Sequence, residues 1–105
     1  MEKLLYYMWE QRLLSHVPAL TTRGEAIEVI DPGRRNPNAG PDFFNAKVRI
    51  GDRLWAGNVE MHLRASDWTV HGHSADKAYD SVVLHVVTEA DAEVFRSNGE
   101  AVPQW

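Results

Sequence analysis

The 105-residue chain contains no cysteine. Disulfides, thiolate metal sites and a cysteine nucleophile are therefore excluded, and the cytoplasm is the default compartment. No run approaches the roughly 18 apolar residues of a membrane span. The opening stretch, MEKLLYYMWEQRLL, is interrupted by Glu2, Lys3, Glu10 and Arg12. It lacks the unbroken apolar core and small-residue cleavage site of a signal peptide. Basic charge is scarce as well: 11 Lys and Arg face 15 Asp and Glu, for a formal net charge of −4. That balance argues against bulk binding to nucleic acid, which needs clustered cations, and leaves room only for a local basic strip.

What is present suits one globular domain. With 44% hydrophobic and 25% charged residues, residues 1–105 can build a single modest core. Leu4, Leu5, Met8 and Leu13 recur at helical spacing and predict a helix over 2–15 that packs this face on a sheet. Pro18 ends it, because the residue before a proline is pushed out of the α region. Residues 25–30 read as a strand. Asp31–Pro41 holds three prolines, two glycines and two asparagines, the composition of a long loop.

The clearest signal is a hairpin. Residues 42–50 place Phe44, Ala46, Val48 and Ile50 on one face. Residues 54–63 place Trp55, Val59, Met61 and Leu63 on one face and Asn58, Glu60 and His62 on the other. Downstream, Ser74 reads as the cap of a short helix to Tyr79. Residues 81–88 read as a buried, valine-rich strand interrupted by His85, and 92–96 as a further strand. Strands in runs with helices at one end predict an α+β fold: an N-terminal helix on a mixed, mainly antiparallel sheet, with a short second helix.

Two groups of residues can carry chemistry. Asp42 and Glu60 lie on the two arms of the hairpin, and His62 follows Glu60 on the same face, because strand side chains alternate. Two carboxylates at one end of a ribbon can share Mg²⁺, which polarises a phosphate and activates water. Register decides whether they meet. A two-residue turn pairs Ile50 with Arg53 and sends Asp42 to the opposite face from Glu60. A three-residue turn, a bulge near Gly57, or Asp42 just outside the strand brings them together. Arg34 and Arg35, just upstream, can pair phosphate. The second group is His71, His73, Asp76 and His85, an alternative set of Zn²⁺ ligands. Against both stands a plainer account, in which Lys47, Arg49, Glu60 and His62 form a solvated face with weak cross-strand ion pairs.

From Asn36 to Val87 the chain resembles the opening segment of a family of uncharacterised bacterial proteins, a domain of unknown function. GPDF, GNVE, SDW, HGH and LHVV stand in the family's order. The resemblance implies an N-terminal part of a longer protein, with the C-terminal remainder of that protein as a partner. It implies no activity. A looser resemblance is to the restriction-endonuclease-like superfamily, whose Pro-Asp and Asp/Glu-x-Lys motifs are similar to Pro41-Asp42 and Glu60-x-His62. It implies a nuclease-like core with Asp42 and Glu60 as metal ligands. His62 stands where that superfamily has lysine, and a neutral imidazole supplies no permanent charge. Three functions follow as expectations: a Mg²⁺-dependent nuclease, a non-catalytic interaction domain, and a histidine-based metal hydrolase.

Overall fold

In the computed structural model, residues 2–13 and 19–105 are described. Helix α1 (Glu2–Glu10) leads into a mixed five-stranded sheet. The strands are β1 (Ile27–Asp31), β2 (Arg34–Arg35), β3 (Phe43–Ile50), β4 (Arg53–Arg64) and β5 (Val82–Glu89). Between β4 and β5 lie a four-residue helix, α2 (Asp67–Val70), and two 3-10 turns at His73–Ala75 and Lys77–Tyr79. The sheet order is β1-β3-β4-β5, with the short β2 also on β3. Among the pairs of described strands, only β4 and β5 run parallel. The class is α+β, as the pattern predicts. No described helix is long and apolar enough to cross a membrane.

α1 is shorter than its periodicity suggests. It ends at Glu10, and Arg12 already has a φ of 57°. The stretch Leu14–Pro18, where the stop signal lies, is outside the described residues. The buried face also differs. Leu5 and Trp9 enter the core, whereas Leu4 and Leu13 are 51% and 44% exposed. Leu5 and Trp9 pack with Phe43, Val48, Val59, Met61, Leu84 and Val86 on one side of the sheet. Trp68, Tyr79, Val82, Val94 and Val102 form a second cluster. Val59–His62 of β4 is therefore buried on both faces, and its polar residues Glu60 and His62 are interior groups, not a solvated face.

The hairpin turn is the two-residue kind, with Ile50 opposite Arg53. Farther along, Ala46 pairs with Gly57 but Phe43 pairs with Val59. Three steps on β3 match two on β4, so β3 carries one extra residue at Phe44–Asn45. Asn45 takes a φ of 59°, which asparagine tolerates better than most residues. Its amide donates to the Asn58 side chain at 3.2 Å. The bulge reverses the outcome expected of this turn. Phe43, not Phe44, is buried, and Asp42 comes opposite Glu60. The bend has a steric counterpart in β4: a Cβ on Gly57 would lie 2.5 Å from Val83 and 2.6 Å from the Ser81 carbonyl.

Two other elements depart from expectation. The helix predicted from Ser74 is a pair of 3-10 turns broken at Asp76, whose extended backbone (φ −104°, ψ 113°) interrupts the helix while its carboxylate accepts from the Ala78 amide. Residues 92–96 form no strand. Phe95 makes a single bridge to Ala101 around a tight turn. The segment beyond this turn instead runs back beside β5, where the His85 amide donates to the Pro103 carbonyl and the Trp105 amide to the His85 carbonyl.

Candidate metal centre

The site is built on the covered end of β4. Glu60 and His62 project from one face, two residues apart, and His85 of β5 lies in register beside Glu60. The chain after β4 folds back over this face. Trp68 of α2 stands edge-on to His73 and His85, with ring centroids 5.4 and 5.0 Å away. Gly72, at a φ of 77°, lets the chain turn between His71 and His73. The His73 ring then stacks on Tyr79 at 3.6 Å. Three histidines thus reach one place from a strand and a turn.

The distances are short. His62 Nε2 lies 3.2 Å from His71 Nδ1 and 3.3 Å from Glu60 Oε2. His73 Nε2 lies 3.0 Å from the same Glu60 oxygen. His62, His71 and His73 each offer a ligand atom, and all three atoms lie within 4.8 Å of one another. This group can hold a metal ion. His71 is exposed while the other two are buried, so one side of the group meets solvent. The Nδ1 of His73 is buried with no hydrogen-bond partner.

Burial sets the electrostatics. It pushes the Glu60 carboxyl up to about 10, with the Asp42 charge adding to the effect. It pulls His62 down to about 3 and His85 to about 4; neighbouring imidazoles also lower both, while Gln104 partly opposes the shift at His85. His73 is lowered as well, chiefly by burial. At neutral pH the metal-free protein holds a protonated Glu60 and neutral His62, His73 and His85; the neutral imidazole is the ligating form of histidine. The Glu60–His73 contact is thus a hydrogen bond, and neither His62 nor His73 makes an ion pair with the neutral carboxyl.

The chain matches a family model described as a protein of unknown function (DUF2851) over residues 2–105. It belongs to that family. The comparisons with curated proteins and with solved structures returned no match. The DUF2851 match agrees with the resemblance seen in the motifs, and all the residues of the site lie within it.

The candidates named from the sequence fall as follows. Asp42 meets Glu60: its amide donates to Glu60 Oε1 at 3.2 Å, and its Oδ2 accepts from the Met61 amide at 2.8 Å. His62, His71 and His73 converge. His85 is in the cluster, but both its ring nitrogens are taken, by His62 and by Gln104. Asp76 is exposed and caps a 3-10 turn, and it does not join the group. Arg34 and Arg35 are exposed on β2. Arg35 stacks over the Tyr6 ring at 4.0 Å and lies 3.8 Å from Glu10.

Four residues of the site gave no signal as isolated letters. Tyr6 donates to Asp42 Oδ1 at 3.0 Å. Trp68 and Tyr79 wall the histidines. Gln104 accepts from His85. Trp68 stands inside the SDW motif, so the family-like motifs held a signal for it; Tyr6 and Tyr79 lie outside those motifs. Gln104 lies outside every motif.

Proposed function

We propose that the domain is a metal-dependent hydrolytic module that holds a Zn²⁺-class ion on His62, His71 and His73. The convergence of these three side chains is the observation that supports it. Neutral nitrogen donors suit Zn²⁺ and its neighbours better than Mg²⁺, which prefers oxygen. Glu60 stands beside the three, not among them, and would complete the set as a fourth donor. Ligand atoms about 2.0–2.2 Å from a tetrahedral ion stand about 3.3 Å apart, and the Glu60–His62, Glu60–His73 and His62–His71 distances of 3.3, 3.0 and 3.2 Å match that spacing. A water would enter as a fifth ligand on the exposed, His71 side, and the ion would lower its pKa. Asp42, hydrogen-bonded to Tyr6, would act as base or as a partner of Glu60. The substrate class proposed is a phosphodiester, and residues 1–105 are proposed to be one domain at the N-terminal end of a longer cytoplasmic protein.

A second reading has its own support. Asp42, just before β3, and Glu60, within β4, come together, and the order of helix, strands, short helix and strand resembles a nuclease core. In that reading the two carboxylates bind Mg²⁺, His62 assists the attacking water, and Arg34 or Arg35 meets the phosphate of a nucleic acid.

Hydrolysis of bis(p-nitrophenyl) phosphate and of single-stranded DNA, with Zn²⁺ or Mg²⁺ added, separates the readings. The first expects Zn²⁺-stimulated turnover lost in His71→Ala. The second expects Mg²⁺-stimulated DNA cleavage lost in Asp42→Asn and kept in His71→Ala. No turnover with either metal, for the full-length protein as well, would leave a non-catalytic interaction domain.

A further inference from the structure

We infer that Gln104 is a positioning residue: acting through His85, it fixes the tautomer of His62 so that His62 Nε2 presents a bare lone pair to the metal site. The metal part of this inference rests on the function proposed above. The tautomer part rests on the hydrogen-bond chain alone.

The chain has a direction that can be read from one end. The Gln104 side chain is buried, at 3% exposure. Its Nε2 donates to the Ala92 carbonyl at 2.9 Å, which assigns the amide: Oε1 must be the atom that faces His85. Oε1 is only an acceptor. His85 Nδ1, 2.8 Å away, must therefore carry the proton. A neutral imidazole has one N–H, so His85 Nε2 carries a lone pair. That lone pair faces His62 Nδ1 at 2.7 Å. His62 Nδ1 must then donate, and His62 Nε2 is left unprotonated. Nε2 is the atom that points at Glu60 and His71.

Reversal of the amide would reverse the whole chain. A donor facing His85 would put the His85 proton on Nε2 and the His62 proton on Nε2 as well, aimed into the metal site. A carbonyl two residues of relay away thus decides whether His62 is a ligand. Metal-bound histidines commonly need such a partner on their second nitrogen. Here the partner of His62 is another histidine, and the fixed point is an amide on a different segment. That segment is itself held to β5 by backbone hydrogen bonds on both sides of Gln104.

The experiment is two-dimensional ¹H–¹⁵N correlation of the histidine side chains in the metal-free protein, followed by Zn²⁺ titration. In the wild type, His85 and His62 should both show the Nδ1–H tautomer. Gln104→Met, of similar length but without the carbonyl, should release His85 into a mixture of tautomers and weaken Zn²⁺ binding about 10–100-fold. Gln104→Glu keeps an acceptor at the same place and should restore both the Nδ1–H signature and the affinity. A wild-type spectrum with His62 or His85 in the Nε2–H tautomer overturns the proposal, and that measurement needs no variant to fold. So does a Gln104→Met protein with unchanged tautomers. If the wild type shows the expected tautomers yet binds no Zn²⁺, the metal reading fails while the relay stands.

Discussion

Asp42 and Glu60 face each other across β3 and β4, with the Asp42 amide 3.2 Å from Glu60 Oε1. The pair exists because Asn45 absorbs one residue in a bulge. Buried beside Asp42, the Glu60 carboxyl is pushed up to about 10, first by desolvation and then by the Asp42 charge. Asp42→Asn removes the second cause and keeps the first. The Glu60 pKa should fall in this variant and stay above that of an ordinary carboxyl. A carbon-13 titration of the side-chain carboxyl measures it, and an unchanged value would show that Asp42 exerts no field on Glu60.

The same burial predicts how stability depends on pH in the metal-free protein. His62 and His85 have folded pKa values of about 3 and 4, below the unfolded value of 6.5. Below that value the unfolded chain binds more protons at these sites, so their contribution is lost as pH falls through the window from 6.5 to about 4. Glu60 acts in the opposite sense. Its pKa rises from 4.5 to about 10, so the folded state holds the extra proton and stability is lost as pH rises through that window. Two histidines outweigh one carboxyl on the acid side, and Glu60 is unopposed on the alkaline side. Urea midpoints at about pH 5, 7 and 9 should therefore peak near neutrality. A midpoint that climbs steadily to the alkaline end would show that Glu60 is ionised in the folded protein.

Ligation by Glu60, as proposed, would add a proton to the balance. The carboxyl must ionise to bind a metal, so about one proton should leave as Zn²⁺ enters at neutral pH. Calorimetric enthalpies measured in buffers of different ionisation heat give this number directly. A value near zero would place Glu60 outside the ligand set.

The helix packs through Leu5 and Trp9, which are 8% and 1% exposed. Trp9→Ala should cost about 3–5 kcal/mol and Leu5→Ala about 2–5 kcal/mol. Leu4→Ala, at an exposed position, should change stability by less than about 0.5 kcal/mol. Equal losses at Leu4 and Leu5 in chemical denaturation would contradict the observed docking face.

Gly57→Ala should destabilise by about 1–3 kcal/mol, because a Cβ would press on Val83 and on the Ser81 carbonyl. These contacts are backbone and a β-branched side chain, and neither can swing aside easily. A variant as stable as the wild type would show that β5 can move away from β4 there.

These positions also show how far the sequence could be read. The hairpin, the two-residue turn and the buried valine strand were legible, because alternation of apolar residues reports a half-buried surface directly. α1 was legible as a helix but not in its docking face. Leu4, Leu5, Met8 and Leu13 are equally apolar, and only tertiary contact chooses among them. The convergence of Asp42 and Glu60 depended on one bulge, and a bulge shifts every side chain beyond it to the other face. His62, His71 and His73 were visible as candidates. Their meeting was not, because it depends on the fold-back of α2 and the turn at Gly72. Gln104 was invisible: a lone glutamine carries no periodicity, and its role comes from the pairing of residues 103–105 with β5.

The central claim is that His62, His71 and His73 hold a metal ion together. Calorimetric titration of the metal-free protein with Zn²⁺ tests it most directly, alongside His71→Ala and His73→Ala. His71 is the more telling variant, because it is exposed and its loss should leave the fold intact. One Zn²⁺ should bind per chain, and each variant should bind at least about 10-fold more weakly. Equal affinity in the wild type and His71→Ala, or no binding by a folded wild type, would contradict the account.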